Sequence, residues 1–161
     1  MYTYSMSIFA EATAAKKPRT PRSLVISRLL AGLLVVMATA QLFEFEGFLS
    51  LLSTFGLPMS MLAAYILAGI IVVSEVFALP FLLQLPLSTA FRWVSMVCSW
   101  AVAGLWLVVS VWIIVSGSTI ESIGMLGTVL MTPVWWAVFM SIALGILGGW
   151  ASWGLWPGRR R

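Results

Sequence analysis

Among the residue types able to do chemistry, Glu75 is the first to need explaining. It lies inside an apolar run over residues 59–84, longer than a bilayer is thick. A charge there costs about 3 kcal/mol on insertion scales. The carboxylate therefore needs a partner, a proton or water. Arg28, inside the preceding apolar run, is the candidate partner. Counted from the cytoplasmic ends of their segments, the two depths differ by about 7–8 Å at ~1.5 Å per residue, within reach of a long arginine side chain. The reading predicts an intramembrane ion pair between Arg28 and Glu75, direct or bridged by water. Its role is either to fix helix packing or to hold a proton or substrate, and removing one partner of a buried pair costs ~3–5 kcal/mol.

Three more polar residues gather near the outer ends of these segments. Gln41 and Glu44 close the first, and Tyr65 lies in the outer half of the second. They are expected to line the mouth of a cavity between helices, the alternative being ordinary interfacial polarity. In the last apolar segment Ala137, Ser141, Gly145 and Gly149 recur every fourth position. That spacing lets two membrane helices approach closely, inside one bundle or against another subunit. Ser95, Ser99 and Ala103 form a second small-residue face, with Cys98 beside it as a small hydrophobe.

The chain has no histidine and no aspartate, so the usual metal ligands and proton shuttle are missing. One cysteine allows no intrachain disulfide. No nucleotide loop or nucleophile triad occurs. No metal site and no catalytic residue is assigned, and the chain alone is not expected to be an enzyme.

The elements that position these residues follow from composition. Of 161 residues, 61% are hydrophobic and 9% charged, against about a quarter charged in soluble domains. Lipid must cover the surplus apolar surface. The expected fold is all-α, a polytopic bundle of four transmembrane helices over about 24–43, 59–83, 91–116 and 133–156. A basic tail, 1–22, precedes it and a short basic tail, 157–161, follows. Lys16, Lys17, Arg19 and Arg22, then Arg92, then Arg159, Arg160 and Arg161 share one side, whereas Glu44, Glu46 and Glu121 share the other. The positive-inside rule places both termini and the 84–92 loop in the cytoplasm. The basic clusters are read as topology signals, not as a nucleic-acid site.

Several local features refine this. Ala38-Thr39-Ala40 before Gln41 has the look of a signal-peptide cleavage site, but Arg28 interrupts the apolar region, and a retained helix is expected. Phe43, Phe45, Phe48, Leu49, Leu52 and Phe55 suggest a short amphipathic helix along the interface. The 117–132 loop should be an exposed turn followed by an apolar piece dipping into the interface. Pro80 should free a carbonyl near Val76 and kink its helix. Thr132-Pro133 reads as a cap followed by a first-turn proline. The tryptophans, Trp135 and Trp136 at one end and Trp150, Trp153 and Trp156 at the other, mark interfaces.

The run from Ile26 through Leu83 resembles the DoxX-like superfamily of DoxX, DoxD and MauE proteins. The resemblance is carried by Arg28 before Leu29-Leu30-Ala31-Gly32-Leu33, by Ala40-Gln41-Leu42, by Phe48 with Phe55-Gly56-Leu57-Pro58, and by Glu75 with Leu79-Pro80. It covers a little over the first half; the second half matches as two further apolar helices. The resemblance implies a four-helix membrane bundle, with Arg28 and Glu75 as the polar residues of helices one and two. It also implies an association with thiosulfate:quinone oxidoreduction, methylamine dehydrogenase maturation or complexes handling thiol stress. Gln41 stands where many relatives carry lysine, and the cysteine pairs of redox-linked relatives are absent.

The expected function is a non-catalytic integral membrane subunit or accessory protein of a larger complex, plausibly an electron-transfer assembly in a bacterial inner membrane. It would have no cofactor of its own beyond a bound lipid or quinone, and its partners would be lipid and other membrane subunits. The alternatives are a quinone-linked redox component of DoxX type and a small proton-coupled transporter.

Overall fold

The computed structural model describes residues 14, 18–56, 60–117 and 120–156. The basic clusters at Lys16 and Lys17 and at Arg159 to Arg161, and the proline expected to start the second span, Pro58, lie outside the described residues. Five helices follow one another: α1 (Pro21–Phe43), α2 (Phe45–Ser53), α3 (Ser60–Leu82), α4 (Thr89–Val115) and α5 (Val134–Gly154). A four-residue extended piece, β1 (Met125–Thr128), lies between α4 and α5. Among the described residues four helices are long and apolar enough to cross a membrane: α1, α3, α4 and α5. At 1.5 Å per residue they measure about 30 to 40 Å, which matches a bilayer core of about 30 Å.

Side-chain distribution reflects the solvent. Leu30, Ala31, Leu34, Met37, Ala38 and Gln41 form the buried stripe of α1 at helical spacing. The opposite faces present Leu29, Phe43, Val108 and Ile146, each more than half exposed, as expected where hydrocarbon replaces water.

Proline and serine shape the start of α1, the last turns of α3 and the start of α4. The α1 helix begins at Pro21, with the Thr20 side chain accepting from the Ser23 backbone N–H. Pro21 therefore opens the span, at a first-turn position where its missing N–H costs no helical hydrogen bond. Ser88 caps α4 by accepting from Phe91 N–H. Pro80 lies inside α3, and the strain is met from α4: the Ser95 hydroxyl donates to Phe77 O at 2.5 Å and accepts from Phe81 N at 2.9 Å. A hydroxyl thus stands within the α3 ladder where the sequence anticipated a kink.

The segments that follow α1 and α4 differ from expectation. The short amphipathic helix exists as α2, but its apolar face turns into the bundle: Phe48, Leu49, Leu52 and Phe55 are buried and only Phe43 lies on the lipid side. It packs on α3 because α1 and α2 are almost continuous, bent at Glu44, so α2 folds over the end of the bundle where α1 finishes. The 120–132 segment also folds inward. Ile123 and Met125 are buried, and β1 packs against α1 and α2. Gly127 makes this possible. Its φ is +62°, and a Cβ there would lie 2.5 Å from Ala40 O. Thr132 does not cap α5; its hydroxyl accepts from Met125 N and so holds the loop.

The two described ends of the bundle meet. Arg19 N–H donates to Gly154 O at 3.0 Å, and the Arg19 guanidinium stands 5.2 Å from the centre of the Trp153 ring. The first and last spans thus share one end of the bundle.

Candidate functional site: the buried Glu75 centre

Three spans and the 120–132 loop bring their polar groups to one point. Glu75 comes from α3, Gln41 from the last turn of α1 and Trp106 from the middle of α4, and all three are fully buried. Gln41 Nε2 donates to Glu75 Oε1 at 3.1 Å and also to Met125 O at 3.1 Å. Trp106 Nε1 donates to the same Glu75 oxygen at 3.3 Å. The remaining oxygens, Glu75 Oε2 and Gln41 Oε1, are buried without a hydrogen-bond partner.

Each element arrives for a local reason. Gln41 continues the buried stripe of α1, one turn beyond Met37 and Ala38. Trp106 follows Val102 and Ala103 on the buried face of α4, and its ring lies tilted against Phe48 of α2, with centroids 6.5 Å apart. The Met125 carbonyl is carried in by β1, which Gly127 and Thr132 hold against α1.

The expected Arg28–Glu75 ion pair is not formed. Arg28 is exposed on α1, while Glu75 is buried and takes its bonds from Gln41 and Trp106. Helix register gives the reason: Gln41 lies thirteen residues beyond Arg28, about 20 Å along the axis, so a carboxyl that meets Gln41 is beyond the reach of Arg28.

The expected cavity mouth of Gln41, Glu44 and Tyr65 divides three ways. Gln41 belongs to the buried centre. Glu44 is exposed and accepts a hydrogen bond from the Thr128 hydroxyl, which ties the end of α1 to the 120–132 loop. Tyr65 is 54% exposed on the lipid-facing side of α3. Beside the centre is a cavity of about 40 Å³, lined by Leu33, Met37, Met125, Thr132, Trp136 and Met140 among others. It is mostly apolar.

The small-residue stripe of α5 packs inside the bundle. Ala137 and Ser141 are buried. A Cβ on Gly145 would lie 3.9 Å from Ala103, and one on Gly149 would lie 3.5 Å from the Trp100 ring. The small faces of α4 and α5 thus meet each other, and Gly148 faces Ser99. Ser95 turns instead to α3. Cys98 is half-buried against the core.

Trp106 is the residue that sequence reasoning missed. Its position gave a signal: it lies in the interior of a 27-residue span, far from the headgroup levels that tryptophans mark, where an indole N–H must find a buried acceptor. Nothing in the sequence pointed to the Met125 carbonyl. Among the described residues no group of three or more His, Cys, Asp or Glu side chains gathers to hold a metal ion. Compared with family models, with curated proteins and with solved structures, the chain finds no match.

Proposed function

We propose that this chain is a non-catalytic integral membrane subunit or accessory protein of a larger membrane complex, a respiratory or other electron-transfer assembly in a bacterial inner membrane, with both termini in the cytoplasm. The observation that carries this reading is the closure of the polar centre. Glu75, Gln41 and Trp106 are walled off from every surface, so the carboxyl is placed to tie three spans and a loop together and not to receive a substrate. What the protein offers to other molecules is its apolar exterior. Two open grooves cross it. One, of about 380 Å³, is lined by Val35, Val36, Thr39, Ala40, Phe43 and Val129. The other, of about 350 Å³, is lined by Ile146, Gly149, Trp150 and Trp153. Both suit an acyl chain or a ridge of a neighbouring helix. Purification in mild detergent from the native membrane tests this. Stoichiometric co-purification of other membrane subunits is the expected result, and recovery of this chain alone sinks the reading.

One contact favours a second reading, a DoxX-like quinone-linked component. Gln41 and Glu75, two positions that carry that resemblance, share a hydrogen bond. On this reading Glu75→Gln lowers quinone-linked activity in native membranes while the protein level holds. Equal activity of the two forms removes it.

A further inference from the structure

The hydrogen bonds around Glu75 fix which atoms donate. A backbone carbonyl only accepts, so the Gln41 atom 3.1 Å from Met125 O is Nε2. The same Nε2 donates to Glu75 Oε1, and the Trp106 N–H, which can only donate, is directed at that oxygen as well. Glu75 Oε1 therefore receives two N–H groups. The atoms left over, Glu75 Oε2 and Gln41 Oε1, are buried and without partners. An amide oxygen and an ionised carboxylate oxygen both accept, so neither can satisfy the other. One hydrogen between them would satisfy both.

Among the described residues, nothing that faces the group supplies a counter-charge. On α1, Arg28 is exposed and about 20 Å along the axis from Gln41, and Glu44 is exposed and bonded to Thr128. On α4, Arg92 lies fourteen residues before Trp106, at the far end of the helix, and Cys98 lies between them, half-buried. Glu46 on α2 and Glu121 in the 120–132 loop are exposed, as is Tyr65 on α3. The α5 helix carries no titratable side chain. A hard metal cation takes about six oxygens, and this site offers two that are unengaged.

We infer that Glu75 is a proton-binding site: it is held as the neutral acid, with the proton on Oε2 donated to Gln41 Oε1, so that acid and amide close a ring of two hydrogen bonds. The ring joins α3 to α1, and through Gln41 Nε2 it joins both to the 120–132 loop. This stands independently of the assembly reading, since it concerns one proton in the isolated chain.

The chain's composition makes the test direct: it has five acidic residues, all glutamate. The full-length protein, labelled with carboxyl-¹³C glutamate and held in lipid nanodiscs, is followed by infrared and NMR spectroscopy from mildly acid to mildly alkaline pH. At neutral pH the spectra contain the signature of one protonated carboxyl. Glu75→Gln abolishes that signal. It leaves the thermal midpoint within about 4 °C, because its amide N–H replaces the acid O–H toward Gln41. Trp106→Phe, which removes one N–H from Oε1, shifts the acid carbonyl band. This keeps the assignment open to refutation if Glu75→Gln fails to fold. Five ionised carboxyls at neutral pH overturn the inference. So does an acid band that survives in Glu75→Gln, or one that ignores Trp106→Phe. An acid signal that disappears when sodium replaces potassium overturns it in favour of a cation.

Discussion

Around Glu75, α1, α3 and α4 are joined by directional hydrogen bonds from Gln41 and Trp106. Along the seam between α4 and α5 the joining is by proximity, with Gly145 against Ala103, Gly148 against Ser99 and Gly149 against Trp100. Both regions are immersed in apolar surroundings, yet they meet different demands. A seam of small residues gains dispersion contacts and tolerates small slides, because no atom in it must find one particular partner. A buried acid, amide and indole tolerate no such slide, since each unmet polar atom carries a desolvation cost of about 1–3 kcal/mol. The seam brings the helices close; the polar centre fixes their register.

Four substitutions test that division. Trp106→Ala removes both a fully buried ring and a donor to Glu75. It should destabilise the bundle by ~3–5 kcal/mol, read from unfolding in mixed micelles. Gln41→Leu keeps the size but leaves Met125 O and Glu75 with fewer donors. A loss of about 1–3 kcal/mol is expected, together with faster amide exchange in the 120–132 loop. Gly145→Ala meets only an ordinary contact with Ala103, so the gain in helix propensity should dominate and the same unfolding assay should show an increase of roughly 0.5–1 kcal/mol. A large loss there would mean that the seam is as exacting as the polar centre. Arg28→Ala should change stability by no more than about 0.5 kcal/mol, whereas a loss of several kcal/mol would restore the ion pair.

The sequence displayed the spans because their apolar runs exceed anything a soluble core needs, and the four spanning helices fall close to the expected bounds. Glu75 was legible as the residue needing explanation for the same reason. Its partner was not. Counting depth from the cytoplasmic ends favoured Arg28, but that count assumes aligned, upright helices. Which residue of a neighbouring helix a side chain meets depends on tilt and rotation, and a hydropathy pattern does not encode these. The inward turn of α2 and of the 120–132 loop was hidden for a related reason. An apolar face suits lipid and protein equally well, and the choice here turned on Gly127 and on the Thr132 hydroxyl. The small-residue stripe on α5 was readable as a packing face. Its being matched to α4 was not, because a stripe does not name its partner.

The Arg19–Gly154 hydrogen bond has a practical outcome for protein engineering. Where the first and last rods finish side by side, a short polar linker could close the polypeptide into a circle, and fresh ends could be opened in the turn after Leu82. Such a permuted chain would keep every interhelical neighbour while sending α4 and α5 out of the ribosome ahead of α1, α2 and α3, which would separate what the finished architecture requires from what sequential insertion requires.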